Sequence, residues 1–278
     1  MQEIRSETTQ MGSGTTPRHI PQWVASAVAE FEMFGKEVVS VRDIAGALAV
    51  TPDSRRLKNA VHDLVRLGWL RPLPTRGLYE YLPARGGPYP TGDPLLEARA
   101  VLTRRPDFRL AMIGTGAAFL RGFSERAPGG YAVAITREQG GSVALGSIYQ
   151  LVKTTPARID GIPELRGVPV SDAAHLLADA ALWPSACGDL RDADHWLRRA
   201  LLDTPPDTAL ATANRVGHAG AARMAYIAGR FDAVDIATAI AATLRLRAKT
   251  SIGPKSAPVV SRDPSLGVDD RLGVATLK

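Results

Sequence analysis

The sequence predicts an α+β protein with two domains, and three observations carry this prediction. The amino-terminal part combines short helical patterns with two β-prone stretches. Residues 83–94 hold four Pro and three Gly, which no regular element tolerates. After them, β-prone and turn-rich segments up to residue 170 give way to Ala-rich helical patterns. A chain of 278 residues is long enough for two such domains.

The composition excludes several classes of protein. A single Cys can form neither an internal disulfide nor a thiolate cage for zinc, which indicates a reducing cytoplasm. The first 18 residues lack an apolar segment, and no uninterrupted apolar run of about 18 residues occurs, so we expect neither a signal peptide nor a membrane partner. The net charge of +6 suggests a polyanionic partner.

Two helices are predicted after a polar leader, residues 1–18, which we expect to be disordered because it has no periodicity. The first helix spans 21–35 and carries Trp, Val, Ala and Phe at helical spacing. The second spans 41–48 and opens with a capping box formed by Ser40 and Asp43.

A third helix is predicted from Thr51-Pro52, an N-cap followed by proline, to Gly68. Its apolar side is formed by Leu57, Val61, Leu64 and Val65. The opposite side carries Arg55, Asn59, His62 and Arg66, with Arg56 and Lys58 at its margins. Asparagine suits bidentate contact with adenine, and the flanking cations suit phosphates.

The segment after the third helix is predicted to form a β-hairpin. Two β-prone stretches within 69–82 flank a Pro- and Gly-containing loop that carries Arg76. Helix, short helix, turn, basic helix and hairpin is the order of a winged helix-turn-helix, and we predict this DNA-binding domain over 19–84. Between Asp53 and Gly87, seven cationic and three acidic residues give a net charge of +4. There are two alternatives to DNA binding. The basic side of the helix is simply its solvent-exposed side, or the winged helix binds another protein.

The predicted domain organisation continues with a linker over 85–94 and a larger mixed α/β domain, rich in helices, over 95–278. Its helices are expected near 95–104, 115–123, 172–183, 189–202, 208–228 and 233–249, and a strand is expected at 131–136. The last 29 residues are expected to form an edge strand or a partly ordered tail.

No catalytic, metal or cofactor site is predicted, although several patterns were candidates. Gly114-Thr115-Gly116 resembles a phosphate loop but lacks the Gly-Lys-Ser/Thr ending, and Gly146-Ser147 lacks the downstream carboxylate pair that holds metal. The single Cys, Cys187, has no neighbouring His and no paired Cys, and it is expected to be a small, partly buried residue. Helix capping or surface roles explain Asp192, Asp194, His195 and His218 better than metal binding does.

Three stretches resemble the AbiEi family of antitoxins, the transcription-regulating half of type IV toxin–antitoxin systems. They are Leu-Val-Arg-Leu-Gly-Trp-Leu at 64–70 with its hairpin to residue 82, the small-residue segment 113–123 with the strand at 131–135, and the segment 167–182. The resemblance implies an amino-terminal winged helix that represses its own operon. It also implies a carboxy-terminal domain that neutralises a nucleotidyltransferase toxin.

The partners expected from these patterns are double-stranded promoter or operator DNA and, by the resemblance, the toxin. Arg55, Asn59 and His62 are expected to read the major groove, while Arg56, Lys58, Arg66 and Arg76 contact phosphates or, for Arg76, the minor groove. The alternative function is a one-component regulator whose carboxy-terminal domain senses a small ligand. A weaker hypothesis is a second basic surface at Arg198, Arg199, Arg245 and Arg247.

Overall fold

The computed structural model describes residues 18–136, 143–245 and 249–274. The chain divides into two compact units, Met1–Gly92 and Asp93–Lys278, and this division falls within the segment 85–94. Both units combine helices with small sheets, so the protein is of the mixed α/β class. Within the described ranges, no helix is both long and apolar enough to cross a membrane.

Unit 1 packs helices against a small antiparallel sheet. Its helices are α1 (Ala25–Met33), α2 (Val41–Ala47) and α3 (Arg55–Arg66), and its strands are β1 (Val38–Ser40), β2 (Leu70–Pro72) and β3 (Leu78–Tyr81). Strand β3 is central, because it pairs with β1 on one side and with β2 on the other. The core that joins these elements includes Phe31, Ile44, Leu57, Leu64 and Tyr81.

The start of α2 confirms the predicted capping box. The Ser40 hydroxyl accepts a hydrogen bond from the Asp43 backbone N–H, and the Asp43 carboxylate accepts from the Ser40 N–H at 2.8 Å. Lys36 also donates to Asp43, at 2.6 Å. These bonds fix the position where β1 ends and α2 begins.

Two details of the sequence prediction for unit 1 were wrong. Helix α3 begins at Arg55 and not at Thr51-Pro52, because the Ser54 hydroxyl caps it by accepting from the Leu57 N–H while Ser54 itself closes a turn onto Thr51. The leader was predicted to include Arg18, but Arg18 donates to the Leu82 carbonyl at 2.6 Å and stacks on Trp69. The rest of the leader, residues 1–17, lies outside the described residues.

Within its described residues, unit 2 combines helices with three small sheets. Its helices are α4 (Leu96–Arg104), α5 (Gly114–Leu120), α6 (Ala173–Leu182), α7 (Arg199–Leu202), α8 (Pro206–Val216), α9 (His218–Arg230) and α10 (Val234–Ala241). Its strands are β4 (Leu110–Ile113), β5 (Tyr131–Thr136), β6 (Tyr149–Thr154), β7 (Glu164–Leu165), β8 (Val168–Pro169), β9 (Thr250–Ile252), β10 (Ser261–Asp263) and β11 (Val268–Asp270). Strand β5 pairs antiparallel with β4 and parallel with β6.

The main corrections in unit 2 concern breaks in the predicted helices. The helix expected over 208–228 is interrupted at Gly217, whose φ of +79° favours glycine and ends α8 before α9 begins. The segment 189–202 is not one α-helix but a 3₁₀ turn, a π-helical stretch and the short α7. The carboxy-terminal part, expected as an edge strand or tail, supplies the three paired strands β9, β10 and β11.

Candidate nucleic-acid interface

Helix α3 presents a continuous polar and cationic face. Ser54 fixes its start, and the left-handed Gly68, with φ of +73°, follows its last turn. Leu57 and Leu64 are buried on the core side, as the spacing predicted, and Val61 and Val65 are half-buried there. Ala60, which was not part of the predicted apolar side, is also buried. The side chains predicted to face the solvent all do so: Arg55, Arg56, Lys58, Asn59, His62 and Arg66. A helix of 12 residues, about 18 Å long, therefore carries five cationic or titratable groups and one amide on its exposed sides.

A cleft lies beside this face, and an aromatic residue lines part of it. The cleft measures about 620 Å³ and is lined by Trp23, Arg55, Arg56, Asn59, His62 and Asp63. Trp23 stands in the 3₁₀ turn Gln22–Val24 ahead of α1, and its half-buried side chain packs against the core of unit 1 while it also lines this cleft. The cleft joins a flat apolar surface to hydrogen-bonding and cationic side chains.

Acidic residues neutralise little of this face. Asp63 is in the cleft, but its carboxylate is 3.6 Å from the His62 ring nitrogen and 3.5 Å from the Arg66 guanidinium, which are long contacts for ion pairs at an exposed surface. Arg71, another cation of the segment 53–87, is paired with an acid. It donates at 2.5 Å to the carboxylate of Glu80, which is fully buried in β3.

The hairpin loop that carries Arg76 is anchored to α2. The carbonyl oxygen of Gly77 accepts a hydrogen bond from the Val41 N–H at 3.2 Å, and the loop closes on itself through the Leu73 and Leu78 backbone. Gly77 has a φ of +79°, which explains glycine at this turn. Arg76 is exposed at the tip of this fixed loop.

The phosphate-loop-like run Gly114-Thr115-Gly116 has a packing role in unit 2. Gly114 has a φ of +63°, and a Cβ atom there would lie 2.1 Å from the carbonyl oxygen of Ala186. The backbone N–H of Gly114 donates to the buried carboxyl group of Asp179 at 2.9 Å. Glycine is required here because the backbone of Ala186 approaches Gly114 closely and leaves no space for a side chain.

Burial strongly affects two titratable groups next to this run. It raises the pKa of Asp179 to about 7, against the opposing effect of the Gly114 N–H. Burial also raises the pKa of the Cys187 thiol, and the neighbouring Asp179 raises it further. Cys187 is a free cysteine that is fully buried, whereas the sequence predicted a small, partly buried residue. A thiol with a raised pKa is a poor nucleophile.

The remaining candidate residues occupy surface positions or ion pairs. The His218 ring is 2.5 Å from the Arg245 carbonyl oxygen, and Asp194 accepts from Arg198. Across the described residues, no three His, Cys, Asp or Glu side chains are grouped closely enough to hold a metal ion. Arg198, placed in the hypothetical second basic surface, is paired with both Asp194 and Asp232, and Arg247 lies outside the described residues.

Comparison with known proteins bears on the fold. No family model matches the sequence. Among the curated proteins, none matches it. The crystal structure of the RV2827C protein from Mycobacterium tuberculosis is similar, with 21% sequence identity and a TM-score of 0.73, and the match covers 95% of this chain and 97% of that chain. At this level of identity, the similarity shows a shared fold along nearly the whole chain.

Proposed function

We propose that this chain is a DNA-binding antitoxin and transcriptional autorepressor of the AbiEi type, and that unit 1 is its winged helix-turn-helix domain. The observation that carries the proposal is the face of α3, where Asn59 lies among exposed cations beside a Trp23-lined cleft. In this arrangement α3 is the recognition helix, and the hairpin of β2 and β3 is the wing.

Each side chain on the interface has a role in this proposal. Arg55, Asn59 and His62 point away from the core and read base edges in the major groove. Arg56, Lys58 and Arg66 contact phosphates at the margins of the helix, and Arg76 contacts a phosphate or the minor groove from the wing. Because these cations are exposed, they are available to replace the counterions that DNA releases.

The antitoxin part of the proposal belongs to unit 2 and rests on the resemblance of segments 113–123, 131–135 and 167–182 to that family. We expect unit 2 to neutralise a nucleotidyltransferase toxin encoded by an adjacent gene. The test is co-expression of the two products: growth should be restored only when this chain is present. A shortened chain that ends at Gly92, and so keeps only unit 1, should fail to restore growth while still binding DNA. Rescue by unit 1 alone would contradict the assignment to unit 2.

The groove contacts are tested by Arg55→Ala and Asn59→Ala in gel-shift titrations on the promoter fragment of the chain's own gene. Each change should cost about 1 to 3 kcal/mol of binding to the specific site, roughly 5- to 150-fold in affinity, because a bidentate base contact is lost. Arg104→Ala and Asn214→Ala remove matching exposed side chains from unit 2 and should bind as the parent does. Parent-like binding by both unit 1 variants would refute the groove assignment.

Lys58→Ala separates phosphate contacts from base contacts. This change should weaken binding to specific and unrelated DNA by the same factor, because a phosphate contact carries no sequence information. The slope of log K against log salt should become shallower by about one. The measurement is fluorescence anisotropy on both DNAs at several salt concentrations. A loss confined to the specific DNA would show that Lys58 reads a base.

A further inference from the structure

A groove with a largely apolar lining opens on the surface of unit 2, where the end of α7 meets the start of α10. Its volume is about 420 Å³. Three of the residues that line it, Leu201, Phe231 and Ile236, belong to the buried core of unit 2. Leu202 and Val234 also line it, and their exposed fractions are 81% and 63%. The groove therefore extends an apolar surface from the core out to the solvent.

Two exposed aliphatic side chains at one groove need an explanation that a single one does not. Isolated apolar side chains are common on protein surfaces, whereas larger contiguous apolar patches mark interaction sites. Leu202 ends α7 and Val234 begins α10, so the fold brings together residues that are more than 30 positions apart along the chain. A partner that covers both side chains removes most of their surface from water, which favours association.

The hydrogen-bond donors of this groove are already in use. Arg198 lines the groove, but its Nε–H donates to the Asp194 carboxylate at 2.9 Å and its Nη1 donates to Asp232 at 2.6 Å. The Thr204 hydroxyl, also in the lining, donates to the Ala200 carbonyl oxygen at 2.9 Å. Because these donors have acceptors within the chain, the groove is poorly suited to an anionic partner.

The charge around the groove is negative, although the protein as a whole is basic. Asp232 and Asp235 line the groove, and Asp203 and Asp207 are exposed directly beside lining residues in the sequence. Over residues 198–207 and 231–236, two arginines and four aspartates give a net charge of −2, against +6 for the whole chain. This charge disfavours DNA and favours a cationic partner.

Helix capping accounts for only part of these acids. Asp207 and Asp235 lie in the first turns of α8 and α10, where the helix dipole favours a carboxylate. Asp203 caps the carboxyl end of α7, and Asp232 follows the last turn of α9, where the dipole disfavours one. Arg198 offsets Asp232, but Asp203 has no ion pair with any described residue. A cation supplied by a partner would offset Asp203.

We infer that the groove between α7 and α10 binds a protein segment that places an apolar side chain between lysines or arginines. The apolar side chain packs on Leu202 and Val234, and the cations pair with Asp203 and Asp235. The inference rests on the proposed function, because the toxin is the protein that supplies this segment. A protein segment fits better than a small molecule, since small-molecule sites enclose their ligand and these two apolar side chains are largely open to solvent.

The apolar contact is tested by biolayer interferometry with the full chain and the purified product of the adjacent nucleotidyltransferase gene. Leu202→Ser and Val234→Ser should each weaken binding about tenfold or more, because each removes an apolar side chain that the complex buries. Both side chains are largely exposed in the free chain, so the melting temperature should stay at the parent value. Val260→Ser, which removes another exposed valine of unit 2, should bind as the parent does.

Asp203→Lys tests the charge and separates binding from stability. A lysine at the carboxyl end of α7 suits the helix dipole, so the melting temperature should not fall. Association with the toxin should nevertheless slow about tenfold at low salt, because the attraction between the groove and the cationic segment is weakened. The parent rate should fall as salt is added, and the Asp203→Lys rate should change less. Glu125→Lys makes the same charge change at another exposed site of unit 2 and should associate as the parent does.

The possible failures of this inference are distinguishable. Parent affinity for the toxin in both Leu202→Ser and Val234→Ser would overturn the docking surface and leave the antitoxin function intact. A parent chain that does not bind the toxin would overturn both. A parent chain that self-associates, and that Leu202→Ser makes monomeric, would assign the groove to a second copy of the chain. The variants should all bind promoter DNA with parent affinity, since α3 is unchanged.

Discussion

Asp179→Asn is expected to stabilise the protein against unfolding at neutral pH, by up to about 4 kcal/mol. Asp179 is buried in α6, and burial raises its pKa in the folded chain from the ordinary 3.8 to about 7. The folded state therefore holds a proton that the unfolded state releases between these two values. An asparagine keeps the shape of the side chain and its acceptor for the Gly114 N–H, and it never has to be charged.

The sign of the pH dependence follows from the direction of this shift. Because the folded pKa lies above the unfolded one, the contribution of Asp179 to stability is greatest below about pH 4. It falls by about 1.4 kcal/mol per pH unit as the pH rises towards 7, and it is constant above that. The difference between Asp179→Asn and the parent should therefore widen from pH 5 to pH 7 and then stay level.

Urea unfolding at pH values from 5 to 8 measures this difference. Asp172→Asn, on the residue that caps the same helix, is the control with the opposite sign. Burial alone would raise the pKa of Asp172, but its bonds with the His175 backbone and ring outweigh burial and lower it, so its removal should destabilise the protein at neutral pH. A constant gap between Asp179→Asn and the parent over the whole range would contradict the buried, protonated state of Asp179.

Gly114→Ala is expected to destabilise unit 2 by about 2 to 4 kcal/mol. An alanine at a φ of +63° costs about 1 to 2 kcal/mol in backbone strain. Its Cβ atom would also stand 2.1 Å from the Ala186 carbonyl oxygen and 2.6 Å from the carbonyl carbon, so the backbone must shift. Overpacking of this kind costs about 1 to 3 kcal/mol in a dense core.

The matched control is Gly122→Ala, two residues beyond the end of α5. Gly122 has a φ of +78°, but a Cβ atom there would meet nothing within 4 Å, so only the backbone strain applies. The difference between the two variants in urea unfolding isolates the cost of the close approach. Equal losses in stability would show that Ala186 moves aside without penalty. The close approach would then not be the reason for glycine at position 114.

The residues of α3 illustrate what a local pattern can predict. Four apolar positions at helical spacing were enough to orient the helix, because a 3.6-residue period leaves one choice of buried side. Leu57 and Leu64 are indeed buried, and Asn59 and His62 are exposed. The capping box at Ser40 and the left-handed turns at Gly35 and Gly68 were predictable for the same reason, since their partners lie within a few residues along the chain.

Other features depend on partners that are distant along the chain. The strand β4 was not predicted, because Leu-Ala-Met-Ile becomes a strand only by pairing with β5. Trp23 packs against the core of unit 1, and only the fold also brings it to the cleft that Arg55 and Asn59 line. Arg71 was counted among the available cations until the fold brought the buried Glu80 opposite it.

By itself, the sequence determined the periodic and capped elements of this protein, the exposed cationic face of α3 and the absence of a disulfide, because each depends on local spacing or on composition. The tertiary structure alone decided which charges are neutralised, such as Arg71 by Glu80, and why Gly114 must be glycine. Those properties depend on the burial and close approach of residues such as Gly114 and Ala186, which lie more than 60 residues apart along the chain. Electrostatic and packing energies are set by such distances through space, and these exist only once the chain has folded.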